Sequence, residues 1–269
     1  MNLDTYTSEM AKSVWDKSFF MDKIPGVKLV IDFGCADGAM IRMLAPLFPQ
    51  TTFYGYDFND VLIDTAWQRL SAEASRNTFF FRVKRNYQAF KDGFDDMIQM
   101  AKDFYKPEEI CINFSSVLHE VFSSSQSGKA AIKRLITELK PKYITIRDMY
   151  FHEGDNRRGM RYVLGPVDIV NKCQPHLKDF ESIYGSTKEA KNLIHFLMKY
   201  QWKNNGWETE LNENYFAWTI EDFEQLVEYN YTVVFENYYQ LPFLTESWKE
   251  MFFLPNLHTH AQFILRRDD

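Results

Sequence analysis

Short apolar runs alternate with segments of helical periodicity along the first part of this chain. Leu29–Phe33 is an apolar, β-prone run closed by Gly34, after which apolar residues recur at helical spacing. The pattern repeats at residues 52–57, a second β-prone run that precedes a helix which Asn59 or Asp60 can cap. Both segments therefore predict a strand, a tight turn and a helix in succession.

Three further strands are predicted, at residues 78–83, 109–114 and 143–147. Helical segments at residues 94–104 and 129–139 separate them, and Pro141 stops the second helix before the fifth strand. Strands that alternate with helices in this way imply a largely parallel sheet with crossovers on both faces.

The pattern changes after the fifth strand. Longer helical stretches at residues 187–202 and 219–229 follow without an evident strand between them, and β-prone runs return at 231–236 and 260–265. We therefore expect a doubly wound, mostly parallel seven-stranded sheet with a helical insertion. The predicted parts are a core at 1–150, a helical insertion or lid facing the substrate at 151–230, and C-terminal strands completing the sheet at 231–269.

Length and composition fit this architecture. The chain has 269 residues and is 45% hydrophobic, enough for one large α/β domain with an inserted piece. Its net charge of −6 excludes a global basic field for nucleic acid. Three cysteines without C-x-x-C spacing favour a reducing compartment. We expect a cytoplasmic protein outside the membrane, since neither a signal peptide nor an apolar run of roughly 20 residues is evident.

The turn after the first strand carries the clearest chemical signal. Gly34 and Gly38 let the backbone approach a ligand closely, and the free N–H groups of the following helix favour a carboxylate or phosphate. Dinucleotide sites use G-x-G-x-x-G, whereas the order here is D-x-G-x-x-x-G with Ala36 at the second glycine position. No Gly-Lys-Ser/Thr follows, which excludes a P-loop.

Asp32, Gly34, Cys35 and Gly38 resemble the first motif of class I S-adenosylmethionine-dependent methyltransferases, apolar-apolar-Asp-x-Gly-Cys-Gly-x-Gly. The resemblance covers residues 29–147 and implies a Rossmann-like methyltransferase fold with S-adenosylmethionine as cofactor. By that resemblance Asp57 accepts hydrogen bonds from the ribose hydroxyls. The implied cofactor-binding residues are Asp32, Gly34, Cys35, Ala36, Gly38, Asp57, Phe58, Asn113 and Ser115.

Individual positions in this implied site differ in their expected roles. Asp32 supports the turn and faces the amino group of the cofactor, and Phe58 flanks the adenine. Ala36 fits the motif if its φ is negative. In that family an acidic residue after the third strand usually contacts the adenine, but no such residue is recognisable here. Asn86 or Tyr87 either takes this role or belongs to a solvated loop.

The segment after the fourth strand borders the methyl group in that family and contains a Leu-His-Glu stretch that resembles several small-molecule and RNA-directed members. His119, with Glu120 beside it, is our candidate catalytic base, because a hydroxyl acceptor must lose a proton during attack. The alternative is that His119 lies in the first turn of a helix and Glu120 is a capping or surface charge. The Asn-Pro-Pro-Tyr signature of amino-methylating DNA enzymes is missing, which disfavours that class.

Cysteine thiols and a histidine pair are the other groups that could carry chemistry. Cys35 belongs to the turn and Cys111 lies in an apolar strand, where a buried thiol is usually inert. His258-Thr259-His260 resembles a metal-binding pair, but no carboxylate or cysteine stands at a recognised spacing and alternate strand residues face opposite sides. We therefore predict no metal site.

The predicted insertion is compatible with more than one class of substrate. Residues 157–203 contain nine Lys or Arg against four acids, and Arg157, Arg158 and Arg161 are placed to meet phosphates at the active-site edge. Tyr200, Trp202 and Trp207 are rings that can stack on RNA bases or simply pack in a core. The hypotheses are a small-molecule methyltransferase, which we favour, an RNA or nucleotide methyltransferase, and a non-catalytic binding or assembly module.

Overall fold

The computed structural model describes residues 14–82, 93–155, 173–204, 206–228, 230–242, 244, 248 and 257–268. The strands are β1 (Leu29–Phe33), β2 (Thr52–Asp57), β3 (Thr78–Arg82), β4 (Ile110–Ser115), β5 (Tyr143–Met149), β6 (Tyr231–Tyr239) and β7 (His260–Arg267). The α-helices are α1 (Val14–Lys17), α2 (Ala39–Leu47), α3 (Asp60–Gln68), α4 (Gly93–Phe104), α5 (Leu118–Ser124), α6 (Gln126–Leu139), α7 (His176–Tyr184), α8 (Ala190–Tyr200), α9 (Trp207–Leu211) and α10 (Ile220–Val227). Short 3-10 helices lie at Ala74–Arg76 and Pro107–Glu109.

All seven predicted strands belong to one sheet, in the order β3-β2-β1-β4-β5-β7-β6. The first five strands pair in parallel, and β7 is antiparallel to both β5 and β6. Every residue of β1 is buried, as expected for a central strand covered on both faces. The prediction of a doubly wound, mostly parallel seven-stranded sheet is confirmed.

Most helices form where the sequence predicts them. Asn59 is the N-cap of α3, and its side-chain oxygen accepts hydrogen bonds from the backbone N–H groups of Val61 and Leu62. The fifth strand extends two residues past the predicted end, to Met149, because β7 continues to pair with it. This extension matters because it brings Asp148 under the first turn of α5.

Helices cover both faces of the sheet and create two apolar layers. One layer packs β-strand residues such as Phe33 and Phe114 against α4, α6 and α10, and the other packs Val30 and Phe53 against α2 and α3. In both layers the buried positions recur at helical spacing, so that burial of one helix face drives its docking.

The helices between β5 and β6, in the region predicted to be an insertion, contribute to a separate hydrophobic cluster. Residues of α7 and α8, among them Phe180 and Phe196, pack with Leu241, Trp248 and Leu257 from the connection between β6 and β7. The segment predicted only to complete the sheet therefore also supplies part of the core beneath the insertion. In the described part of the chain, none of the helices combines the length and the apolar composition that crossing a membrane requires.

Candidate active site

The turn from β1 to α2 is held by its glycines and by the neighbouring strand. Gly34 and Gly38 have φ values of 80° and 71°, in the left-handed region that favours glycine. The N–H groups of Gly34 and Cys35 both donate to the carbonyl of Tyr56 at 2.8 and 3.1 Å. A Cβ on Gly34 would lie 2.7 Å from a methyl group of Val117, so close packing also requires glycine here.

Ala36 differs from expectation, because its φ is +49° where a negative value was required for alanine to fit comfortably. A left-handed conformation costs an L-residue roughly 1–2 kcal/mol. Asp57 stabilises this conformation, because its Oδ2 accepts the Ala36 N–H at 2.9 Å. The turn thus keeps the shape that glycine adopts freely, and hydrogen bonding offsets the strain.

Asp57 ends β2 directly beside this turn. Its Oδ1 accepts the N–H of Asn59 at 2.8 Å, and the second oxygen accepts that of Ala36. Each carboxylate oxygen has a further lone pair to offer a ligand hydroxyl. Burial raises the pKa of Asp57 above its ordinary value, although the two backbone N–H donors oppose this shift.

Asp32 and Asn113 form a buried polar pair at the centre of the sheet. The Asn113 Nδ2 group donates to Asp32 Oδ1 at 2.8 Å, and the Thr145 hydroxyl donates to Asn113 Oδ1 at 2.8 Å. Burial raises the pKa of Asp32 to about 6, with the Asn113 hydrogen bond and the Lys17 charge opposing. Asn113 therefore fixes Asp32 and lies behind the pocket wall.

A pocket of about 710 Å³ opens at the carboxyl ends of β1, β2 and β4. This volume falls within the range of about 300–1,000 Å³ typical of small-ligand sites. Most of the predicted cofactor residues line it, together with residues from α1 and α5. The lining residues are Val14, Lys17, Asp32, Gly34, Cys35, Ala36, Asp37, Ala39, Met40, Asp57, Phe58, Asn59, Leu62, Ser115, Ser116, Val117 and Glu120.

Gly38 and His119, unlike Glu120, are not part of this lining. A Cβ on Gly38 would lie 2.5 Å from the Phe80 ring, so Gly38 allows the turn to pack against β3. Cys35 lines the pocket as a buried thiol whose pKa burial raises well above its ordinary value, which makes it a poor nucleophile.

His119 lies beneath the pocket between two carboxylates. Its side chain is 3% exposed, with Nδ1 2.7 Å from Asp148 Oδ1 and Nε2 3.3 Å from Glu213 Oε1. Burial alone would lower the pKa of His119, but the charges and hydrogen bonds of Asp148 and Glu213 outweigh it and raise that pKa to about 10. An imidazolium with both nitrogens engaged has no lone pair for a substrate proton, so the geometry favours a positioning role over a general base.

The interaction of His119 with Asp148 and Glu213 predicts that folding stability depends on pH. Because the His119 pKa is about 10 when folded and 6.5 ordinarily, its stabilisation is complete below pH 6.5 and is lost as pH rises through 10. His119→Gln is therefore expected to be less stable than wild type at pH 7, with the difference in unfolding free energy shrinking towards pH 10. The difference changes by at most about 1.4 kcal/mol per pH unit. Urea unfolding at several pH values measures it, and a constant difference would contradict a charged His119.

Glu120 is the next residue along α5, and it faces the pocket. Although the Glu120 side chain is exposed at the pocket, its pKa is raised to about 7, first by partial exclusion of water and then by the like charges of Glu213, Asp148 and Asp57. The His119 charge opposes this increase. A carboxyl whose pKa lies near neutrality can both accept and release a proton under physiological conditions.

The comparisons with known proteins bear on the fold. The sequence matches no protein-family model and no curated protein. Among solved structures, a chain of the complex between the Haloferax volcanii Trm112 methyltransferase activator and a candidate methyltransferase aligns with TM-score 0.52 and 11% identity, over 99% of this chain and 95% of that one. This chain has the class I methyltransferase fold.

Two further structures share this fold but are longer. An O-methyltransferase family protein from Burkholderia thailandensis has TM-score 0.50 and 12% identity, over 99% of this chain and 59% of that one. The protein TnmH has TM-score 0.50 and 11% identity, over 98% of this chain and 57% of that one. This chain thus spans less than two thirds of either protein.

The wall of the pocket also contains polar atoms. The hydroxyl of Ser115 is buried and has no hydrogen-bond partner among the residues that the structure describes. A buried hydroxyl in that state costs about 1–3 kcal/mol unless a ligand or water satisfies it. Ser115, Asp57 and the turn at Gly34 line one pocket, so they fit a ligand that carries hydroxyl and charged groups.

Lys17 is a pocket residue that the sequence did not reveal. It is buried, and burial followed by the Arg147 charge lowers its pKa to about 8, while Asp32 and other carboxylates oppose the shift. Its helix α1 is anchored by Asp16, whose carboxylate lies 2.6 Å from the buried Arg147 guanidinium. No local motif marks Lys17, since only packing of α1 on the sheet brings it to the pocket.

The remaining predicted substrate and cofactor contacts are five residues outside the described part of the chain and Phe58 within it. Arg157, Arg158 and Arg161 lie outside the described residues, as do Asn86 and Tyr87. Phe58 is 49% exposed, lines the pocket and packs edge-on against Phe33, with ring centroids 5.8 Å apart. Its contact with adenine stays a prediction.

Two of the aromatic residues predicted to stack on RNA bases pack against neighbouring rings. Tyr200 is 7% exposed and packs against Phe196 with the two rings tilted by 36°, and Trp207 packs edge-on against His176 with ring centroids 4.8 Å apart. Lys199 is one of the nine basic residues of segment 157–203. It is fully buried and donates hydrogen bonds to the backbone carbonyls of Glu210 and Glu213. These groups build the core of the insertion, which weakens the case for base stacking.

Proposed function

We propose that this protein catalyses S-adenosylmethionine-dependent methyl transfer to a small-molecule acceptor. The observation that carries the proposal is the pocket at the carboxyl edge, which Asp57, Ser115 and the Gly34 turn line together. A binding module that had lost its cofactor would be expected to have a blocked pocket, and this pocket is open.

The residues divide the recognition of the cofactor between them. Asp57 accepts hydrogen bonds from the ribose hydroxyls through the lone pairs that Ala36 and Asn59 leave available. Lys17 pairs with the carboxylate of the methionine moiety, and Asp32 with its amino group. When bound, S-adenosylmethionine supplies a methyl group on its sulfonium sulfur.

We assign proton transfer to Glu120 and positioning to His119. Glu120 lies on the pocket wall and holds a pKa of about 7, so that it is available as a base above that pH. His119 stays charged between Asp148 and Glu213 and fixes the first turn of α5, from which Glu120 projects. This division replaces our initial choice of His119 as base.

A small acceptor is favoured over RNA by two features of the insertion. The Tyr200 ring is buried in the hydrophobic cluster of these helices and Trp207 packs against that cluster, which leaves less ring surface to stack on bases. Glu213 lies beside His119 and the pocket residue Glu120, so this part of the chain brings an acidic rather than a basic group near the pocket.

The test measures formation of S-adenosylhomocysteine from labelled donor with small phenols, carboxylic acids and amines, and separately with RNA. We expect turnover with a small acceptor, a rate that rises with pH through about 7, and a roughly 100- to 10,000-fold lower kcat in Glu120→Gln. Cofactor affinity should stay unchanged in that variant, and the exposed-site control Glu73→Gln should behave as wild type.

The outcomes separate the parts of the proposal. Turnover by RNA alone would replace the acceptor class, and salt-dependent RNA binding would support that replacement. Near-normal kcat in Glu120→Gln would remove Glu120 as base. Cofactor binding without turnover on any acceptor would favour the non-catalytic module.

A further inference from the structure

Two chain segments converge beside the last parallel strand. His152 and Asp155 follow β5, and His258 precedes β7. Because Met149 of β5 pairs with His260 of β7 in antiparallel register, these segments meet at the carboxyl edge of the sheet. The sequence separates Asp155 and His258 by 103 positions, so no local motif joins them.

Asp155 and His258 are already in contact. Asp155 is fully buried, and its Oδ1 lies 3.1 Å from Nδ1 of His258. The other oxygen, Oδ2, accepts the backbone N–H of His258 at 2.9 Å. The carboxylate is thereby fixed in orientation with its charge directed at the imidazole.

His152 completes a group of three ligand-bearing side chains. One nitrogen or oxygen atom from each of His152, Asp155 and His258 lies within 4.8 Å of the other two. The His152 ring packs against both Tyr238 and His258, with centroid distances of 4.3 and 5.1 Å. Its Nδ1 is buried and has no hydrogen-bond partner among the residues that the structure describes.

An imidazole nitrogen in that state is destabilising unless something binds it. Leaving a buried polar atom unsatisfied costs about 1–3 kcal/mol. Gly154 lets the ring take this position, because a Cβ there would lie 2.5 Å from Cε1 of His152. The ring is therefore held beside the pair formed by Asp155 and His258, and its Nδ1 has no hydrogen-bond partner among the described residues.

We propose that His152, Asp155 and His258 bind a divalent first-row metal ion, with zinc as the ion that these donors favour. Two imidazoles and one carboxylate are ordinary zinc ligands, and a tetrahedral ion with bonds of about 2.1 Å places its ligand atoms about 3.4 Å apart. The 3.1 Å separation of Asp155 and His258 is already close to that value. Three protein ligands leave a fourth position for water or a polar substrate group.

His260 takes no part in this site. It is buried, and its Nδ1 lies 2.8 Å from the hydroxyl of Thr259. The two histidines of His258-Thr259-His260 therefore do not belong to one ligand cluster among the described residues. What changes the interpretation is Asp155, the partner carboxylate that the sequence spacing did not reveal.

The test uses the full chain freed of metal with a chelator and then titrated with Zn²⁺ by calorimetry. We expect one ion per chain with micromolar or tighter affinity, a raised Tm, and the visible absorption of a tetrahedral site when Co²⁺ is used instead. Asp155→Asn and His258→Gln should each weaken Zn²⁺ binding at least about 100-fold, as loss of one ligand requires. The matched control is His176→Gln, which removes a histidine outside the cluster.

Two results would overturn the proposal: absence of Zn²⁺ and Co²⁺ binding by the wild-type chain, or equal binding by a folded His152→Gln/His258→Gln variant. Loss of binding in Glu213→Gln instead would assign the ion to His119, Glu120 and Glu213, whose ligand atoms also cluster. If the cluster variants fail to fold, Zn²⁺ protection of His152 and His258 from diethyl pyrocarbonate, mapped by mass spectrometry, decides on wild type. Modification unaffected by Zn²⁺ would then reject the site.

Discussion

Replacing Asp57 with alanine is expected to lower the affinity for S-adenosylmethionine by about 100-fold or more, equivalent to a loss of about 2.7 kcal/mol. The carboxylate is the only predicted ribose partner, and charge-assisted hydrogen bonds contribute about 1.5–3 kcal/mol each. The substitution also removes the acceptor for the Ala36 N–H, which holds the strained turn in place. Both effects weaken binding in the same direction.

Calorimetric titration with S-adenosylmethionine and S-adenosylhomocysteine measures this effect. Asp64→Ala is the matched control, because Asp64 is an exposed acid on the adjoining helix α3 that pairs with Arg82. Normal affinity in Asp57→Ala would remove Asp57 from the site. Absence of binding by wild type would reject the methyltransferase proposal, whereas the metal site would still be tested by its own titration.

Asp148→Ala is expected to have the largest effect on stability, about 3–5 kcal/mol of unfolding free energy. Asp148 is fully buried, and its Oδ2 accepts the N–H groups of Val117, Leu118 and His119 at 3.1, 2.7 and 3.2 Å. Its Oδ1 faces the His119 ring. Alanine would leave a buried imidazolium and several N–H groups at the start of α5 without their acceptor.

Urea unfolding of two further variants isolates the cause. Asp148→Asn keeps the shape and one accepting oxygen, so it should lose less stability than Asp148→Ala. Glu138→Ala removes a surface partner of Arg134 and should cost no more than about 1 kcal/mol. A loss in Asp148→Ala as small as that in Glu138→Ala would show that the network adds little to stability.

The sequence predicted the sheet because its signals are local. Each strand is a short apolar run, and each helix has a periodic apolar face with a recognisable start, such as the Asn59 cap. The turn at Gly34 and Gly38 is equally local, since its dihedral angles depend on residues within one short segment. These features identified the seven strands, the mostly parallel sheet that they form and the turn beside which the pocket lies.

The roles of individual side chains at that pocket were harder to predict from the sequence. Asn113 was predicted to contact the cofactor, yet it supports Asp32 from behind. His119 was predicted to be a base because it follows the fourth strand. Its charge depends on Asp148 and Glu213, which other elements supply.

The sequence by itself determined the elements of this protein, their alternation and the turn that shapes the pocket. Only the tertiary structure decided which distant side chains meet: Lys17 at the pocket, Asp148 against His119, and Asp155 against His258. The reason is physical, because periodicity and turn preference depend on neighbours in the chain. Contacts between side chains depend instead on strand register and helix packing, which the whole fold sets together.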